Sequence, residues 1–198
     1  MKKVIAVLLF LMVSAYADSG FSFLLGMRNN HYAFIGAEYA SKIGLAVENS
    51  VFTQGVEKQY VRVCPYYRWT LGNSVSGVYS LFSGMRYDQE YYDFGARLDL
   101  LWSPSQYFQV GGTFMPYYDS FFENTVGYKA YVQSFILEEV GLFVGVKNLP
   151  DFRAVERRYI GGLVLKSGHI MVRPELSTPM NGDTHLIRAS VFFIYNSK

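Results

Sequence analysis

Apolar and polar residues alternate with period two along most of the chain, and helical i, i+3, i+4 spacing never persists. From Tyr92 to Trp102 the even positions are Tyr92, Phe94, Ala96, Leu98, Leu100 and Trp102. The odd positions are Asp93, Gly95, Arg97, Asp99 and Leu101. Successive side chains of a strand point to opposite faces, so one face is apolar and the other carries three charges. Val61 to Trp69 repeats the arrangement, with Val61, Val63, Pro65, Tyr67 and Trp69 opposed to Arg62, Cys64, Tyr66 and Arg68. Read this way, the chain predicts twelve strands at 20–28, 32–40, 43–52, 59–69, 76–87, 92–102, 107–118, 126–137, 141–148, 157–166, 169–177 and 185–195.

Strands in that succession predict an all-β fold, a transmembrane up-and-down antiparallel barrel of 12 strands, with 10 or 8 as alternatives. The connections divide into two alternating sets. The shorter set lies around 41–42, 71–75, 103–106, 138–140 and 167–168. The set that is longer on average, its first loop a short exception, lies at 29–31, 53–58, 88–91, 119–125, 149–156 and 178–184. Short periplasmic turns and longer external loops are the pattern of membrane barrels. An even number of strands brings both termini to the periplasmic side.

Alternation alone does not say whether the apolar face meets lipid or a soluble core. Composition adds a direction, because 18% of the residues are aromatic, with 17 Tyr and 16 Phe. Outward aromatics are expected at one rim from Tyr39, Trp69, Trp102, Phe108 and Tyr195, and at the other from Tyr87, Tyr92, Tyr118 and Tyr159. Two such girdles favour lipid. Pro65, Pro116 and Pro174 fall on the apolar face inside strands, where each removes a ladder hydrogen bond. Nothing in the pattern accounts for them.

The N-terminus reads as a secretory signal peptide over residues 1–17. Lys2 and Lys3 precede an apolar run from Val4 to Val13, and Ala15-Tyr16-Ala17 supplies an A-x-A cleavage site. Residues 18–198 then form a single barrel domain. No later stretch approaches the roughly 18 apolar residues of a transmembrane helix, so a membrane location requires a closed barrel. Cys64 is the one cysteine, which excludes an internal disulfide. A net charge of +2 gives no reason to expect a nucleic-acid partner.

The C-terminal segment Arg188-x-Ser190-Val191-x-Phe193-x-Tyr195 is similar to the assembly signal of Gram-negative outer-membrane β-barrel proteins. That signal places a polar residue and a glycine before alternating apolar residues that end on an aromatic. Here Ser190 stands at the glycine position and Asn196-Ser197-Lys198 trail the aromatic. The resemblance implies residence in the outer membrane of a Gram-negative bacterium, with outer-membrane lipid and the assembly machinery as partners.

If the apolar face is outward, the lumen receives Arg28, Arg62, Arg68, Arg86, Arg97, Lys129, Lys147, Arg158, Lys166, Arg173 and Arg188. Against these eleven bases stand five acids, Glu38, Glu48, Asp93, Asp99 and Glu175. The pore-lining set is expected at Arg62, Arg86, Asp93, Arg97, Asp99, Lys129, Lys147, Arg173, Glu175 and Arg188, with Arg62 and Arg97 at mid-depth. A basic lumen favours anions, and small anionic or acidic solutes are the expected cargo of a narrow channel. Tyr66, Phe82, Tyr117, Tyr131 and Phe143 would crowd that lumen and exclude a wide porin. Ion-paired networks filling a plugged structural or adhesive barrel are the competing expectation.

Two further classes remain. A rim-site lipid-modifying enzyme would draw on His31 and His185, which barrel closure brings to one rim, with Asn30, Asp183 and Thr184 nearby in sequence. No G-x-S-x-G or H-E-x-x-H motif occurs, and no cofactor or metal is expected. A soluble lipocalin-like barrel would bury the apolar face instead.

Overall fold

The computed structural model describes residues 20–28, 32–40, 42–52, 59–121, 123–149, 157–181 and 187–196; for 20–21, 27–28, 32–34, 38–40, 51–52 and 196 it describes the backbone alone. These residues form one closed antiparallel barrel, each strand pairing with its sequence neighbours and β1 closing on β12. The strands are β1 (Gly20–Arg28), β2 (Tyr32–Ala40), β3 (Ile43–Phe52), β4 (Tyr60–Leu71), β5 (Val75–Arg86), β6 (Tyr92–Ser105), β7 (Phe108–Asp119), β8 (Glu123–Leu137), β9 (Val140–Asn148), β10 (Arg158–Ser167), β11 (Ile170–Pro179) and β12 (Arg188–Asn196). The signal-peptide region and His31, His185, Asn30, Asp183 and Thr184 lie outside the described residues.

Burial follows the alternation of the sequence. On β7, Thr113, Met115, Tyr117 and Asp119 are buried while Phe108, Phe114 and Pro116 are exposed. The exposed face is the apolar one: Ile136 is 67% exposed, Leu81 65% and Leu176 60%. That is the reverse of what a soluble lipocalin-like barrel requires, and a continuous apolar exterior of this extent is the surface of a transmembrane barrel. No described helix is long and apolar enough to cross a membrane; the crossing is made by strands.

Aromatics gather at both rims. Trp69 stacks on Tyr79 at 5.9 Å, and Phe23 meets Tyr195 at 6.5 Å where β1 and β12 close the barrel. At the other rim Tyr118 packs against Tyr92 and Phe94 at 6.2 and 5.3 Å. The expected Tyr39 side chain lies outside the described residues.

Two connections differ from the sequence expectation. The turn expected at 103–106 is strand through Ser105, with a register shift between Trp102 and Ser105, and the reversal falls at Gln106–Tyr107. The bulge lets Pro104 sit within the strand end without breaking a regular ladder. The loop expected at 119–125 is far tighter. β7 continues to Asp119 and β8 starts at Glu123, whose φ of 58° makes the reversal. β12 starts at Arg188, and residues 185–186 of the expected strand lie outside the described residues.

Candidate functional site in the barrel lumen

Each residue of the expected pore-lining set occupies an inward position: Arg62, Arg86, Asp93, Arg97 and Asp99 on one side, Lys129, Lys147, Arg173, Glu175 and Arg188 on the other. The side chains of Arg28 and Glu38 lie outside the described residues.

The wall from β3 to β7 is built around one row of the sheet, in which Glu48 faces Arg62, Arg62 faces Gly84, Gly84 faces Asp93, and Asp93 faces Asp119. Gly84 has no side chain, so Arg62 and Asp93 meet across it. A Cβ on Gly84 would lie 2.0 Å from the Tyr60 hydroxyl, so only glycine leaves room for the ring that lies over it. Arg62 Nη2 donates to Asp93 Oδ2 at 2.6 Å, and Arg62 Nε donates to Tyr60 Oη at 2.7 Å. Tyr60 Oη donates to Asp93 Oδ1 at 2.6 Å, and Tyr91 Oη donates to Asp93 Oδ2 at 3.1 Å. Glu48 adds a longer ion pair to Arg62 at 3.8 Å. Asp93 is 1% exposed; a carboxylate so far from water is tolerable because it accepts three hydrogen bonds and faces a guanidinium. The Arg62 guanidinium also lies over Phe82 at 4.6 Å.

Arg97 and Asp99 form a second closed set. Arg97 Nε stands 2.7 Å from Asp99 Oδ2, and Thr113 Oγ1 donates to Asp99 Oδ1 at 2.6 Å. At the rim Arg86 pairs with Asp88 and, at 3.3 Å, with Glu90. The two mid-depth arginines expected to act on a passing ion, Arg62 and Arg97, are thus matched locally by carboxylates.

The wall from β8 to β12 differs. Among the described residues, Lys129, Lys147, Arg158, Lys166, Arg173 and Arg188 face inward, and Glu175 is the inward carboxylate among them, with Glu123 exposed at the rim. Lys129 and Lys147 are register neighbours, and Lys147 is in register with Arg158. Lys147 pairs with Glu175, and Lys129 reaches the same carboxylate only at 4.0 Å. Arg158 Nε donates to Ser177 Oγ at 3.2 Å and its Nη2 to the Ser177 carbonyl at 3.0 Å. Arg173 lies on the rings of Phe143 and Tyr131 at 3.9 and 5.1 Å, while its Nε and Nη2 make no hydrogen bond. Lys166 stands over Phe135 at 4.0 Å. Aromatic faces hold a cation in place without cancelling its charge, so this wall keeps a positive field that the other lacks.

Space is reduced from both sides. Phe82, Met115 and Tyr117 cluster on one wall, with Cys64 packed against them; Phe135, Phe143, Ile160 and Val164 cluster on the other. The alternation that identified Asp93 also places Tyr60 and Asp119 inward, and both belong to the site although the expectation omitted them. Tyr91 precedes its strand and carried no such signal. Among the described residues no group of His, Cys, Asp and Glu could hold a metal ion. His169 lies in the turn before β11, its ring 6.2 Å from that of Tyr195.

No family model and no curated protein matches the sequence. The structure, however, resembles solved porins. It matches the KdgM porin in complex with disordered oligogalacturonate with a TM-score of 0.70 at 11% identity, over 89% of this chain and 98% of that one. It matches the NanC porin with a TM-score of 0.58 at 12% identity, over 88% and 97% of the two chains. At such identities the likeness lies in the fold, and that fold is the closed 12-stranded barrel of the KdgM-like outer-membrane porins.

Proposed function

We propose that the protein resides in the outer membrane of a Gram-negative bacterium as a narrow channel for small anions or acidic solutes, its path following the β8–β12 wall. The observation that carries this reading is the set of six inward bases on that wall facing Glu175, with Arg173 and Lys166 seated on rings that leave their charge uncancelled. Rings and tracks of Lys and Arg favour anions in pores. The KdgM porin, whose fold this chain shares, was solved with oligogalacturonate, a sugar chain bearing carboxylates.

The test is the reversal potential of single channels in planar bilayers under a salt gradient. An unpaired charge acting across a narrow lumen contributes about 1 kcal/mol, which corresponds to an anion-over-cation preference of roughly fivefold. Cation preference would overturn the anion reading, and no conductance from folded barrels would overturn the channel reading and leave a plugged structural barrel. The assembly machinery is the proposed partner of β12. Tyr195→Asp places a charge near the membrane boundary, where the direct energetic cost is small, so reduced folded yield in cells is the expected sign that the terminal aromatic is recognised.

A further inference from the structure

Tyr131 and Phe143 point inward, and both rings lie along the wall. Tyr131 pairs with Gly111 in the β7–β8 ladder, and a Cβ on Gly111 would lie 2.2 Å from Tyr131 Cζ. Phe143 pairs with Gly162 in the β9–β10 ladder. A Cβ on Gly162 would lie 2.0 Å from the Pro174 carbonyl oxygen and 2.8 Å from Phe143 Cε1. Each ring is therefore laid over the bare backbone of a glycine in the neighbouring strand. At Gly111 the ring alone fills the space that a side chain would need, so this glycine decides where Tyr131 lies.

Two cations rest on this aromatic surface. The Arg173 guanidinium lies 3.9 Å from the Phe143 centroid and 5.1 Å from that of Tyr131. The Lys129 ammonium lies 5.2 Å from the same Tyr131 centroid. Arg173 Nε and Nη2 are buried without an acceptor. The ion pair of Lys129 is the 4.0 Å approach to Glu175, a carboxylate whose nearer partner is Lys147. Of the charges acting on Lys129, Arg173 outweighs Glu175, and Lys147 and Arg97 add to the repulsion. Arg62 and Arg97, by contrast, are each closed by an aspartate. Like charges held together in a narrow lumen repel, and buried donors without acceptors are costly. One anion set between Arg173 and Lys129 relieves both.

We propose that Arg173 and Lys129, standing at the Tyr131 ring, form a binding seat for a single small oxyanion, a carboxylate or a phosphate. The proposal deepens the anion-channel reading and rests on it for the solute's access, but binding at the seat does not require conduction. A guanidinium presents a planar fork that matches the paired oxygens of a carboxylate or phosphate, and the compact ammonium of Lys129 accommodates a further oxygen. Chloride is a single sphere and cannot use the fork in that way. The rings hold both cations without neutralising them, and their apolar faces strengthen the attraction by displacing water. Gly111 is a positioning residue of the seat, because it lets the Tyr131 ring lie on the wall beneath both charges.

Calorimetric titration of the folded barrel in detergent, at constant ionic strength, tests the seat with inorganic phosphate and acetate as probes. Native barrels should bind at least one probe saturably at one site, the tighter probe naming the oxyanion, with chloride a competitor several-fold weaker. Arg173→Gln should abolish that binding. Tyr131→Leu conserves every charge and removes the ring that both cations share, so affinity should fall several-fold. Gly111→Ala, which drives the ring off the wall, should do the same, with heat-modifiable migration showing that the variants are folded. Lys42→Gln removes a positive charge that stands over the outward ring of Tyr67, and affinity should stay as it is. No saturable binding, chloride competing as strongly as the oxyanions, or full affinity in folded Tyr131→Leu barrels would overturn the seat. Saturable binding in barrels that pass no current would overturn the channel reading and leave the seat standing; anion-selective current without saturable binding would do the reverse.

Discussion

Between β3 and β7 the inner face sets Arg62, Arg68, Arg86 and Arg97 against Glu48, Asp93, Asp99 and Asp119; between β8 and β12 six bases face Glu175. Both walls come from strands with the same alternation. They differ in what each base is given as a partner. On the first wall Asp93 collects Arg62, Tyr60 and Tyr91, and Asp99 collects Arg97 and Thr113. On the second, Lys129 and Lys147 share one carboxylate and Arg173 rests on rings. A paired charge stiffens the barrel and projects little field; a charge held by an aromatic face projects more. On the proposed reading, structure and permeation fall to opposite sides of one lumen.

The largest effect is expected from Asp93→Ala. It leaves Arg62 buried with the 3.8 Å contact to Glu48 as its remaining ion pair, beside the Tyr60 hydrogen bond, and removing one partner of a buried pair costs about 3–5 kcal/mol. Urea unfolding in lipid or detergent would read the loss, and a stability near that of the native barrel would show that the first wall is not its anchor. Glu175→Gln is smaller in stability, about 1.5–3 kcal/mol for lost charged hydrogen bonds, but it also removes the negative charge from the second wall. Anion preference should rise in the same protein whose unfolding midpoint falls. A fall in both would place the solute path elsewhere. The smallest effect belongs to Arg97→Gln with Asp99→Asn, which removes a matched pair at constant net charge. The Arg97 side chain is 37% exposed and that of Asp99 30%, so the pair is worth about 1 kcal/mol or less, and reversal potential should not move.

Strand positions were legible because alternation is a property of single strands. Every expected strand is present, and most observed ends fall within two residues of expectation. Inward parity likewise identified Arg62, Asp93, Lys129 and Glu175 as lumen residues. Partnership was not legible. Arg62 and Asp93 are 31 positions apart on strands that are not neighbours, and they meet only because Gly84 leaves the intervening position empty. The sharing of Glu175 by Lys129 and Lys147 depends on registers across β8 to β11 that no single segment encodes. The three prolines stood out in the sequence as irregularities, but that Pro65 and Pro116 share one row, across Leu81 and Ala96, follows from the register alone.

The claim that the second wall carries the solute path is tested most directly by the reversal potential of Lys129→Gln with Arg173→Gln, recorded beside the native channel. Lys129 has only a 4.0 Å share of the Glu175 carboxylate and Arg173 rests on rings, so loss of the two charges at about 1 kcal/mol each should reduce anion preference to near parity while single-channel openings persist. An unchanged reversal potential in conducting, folded barrels would contradict the account.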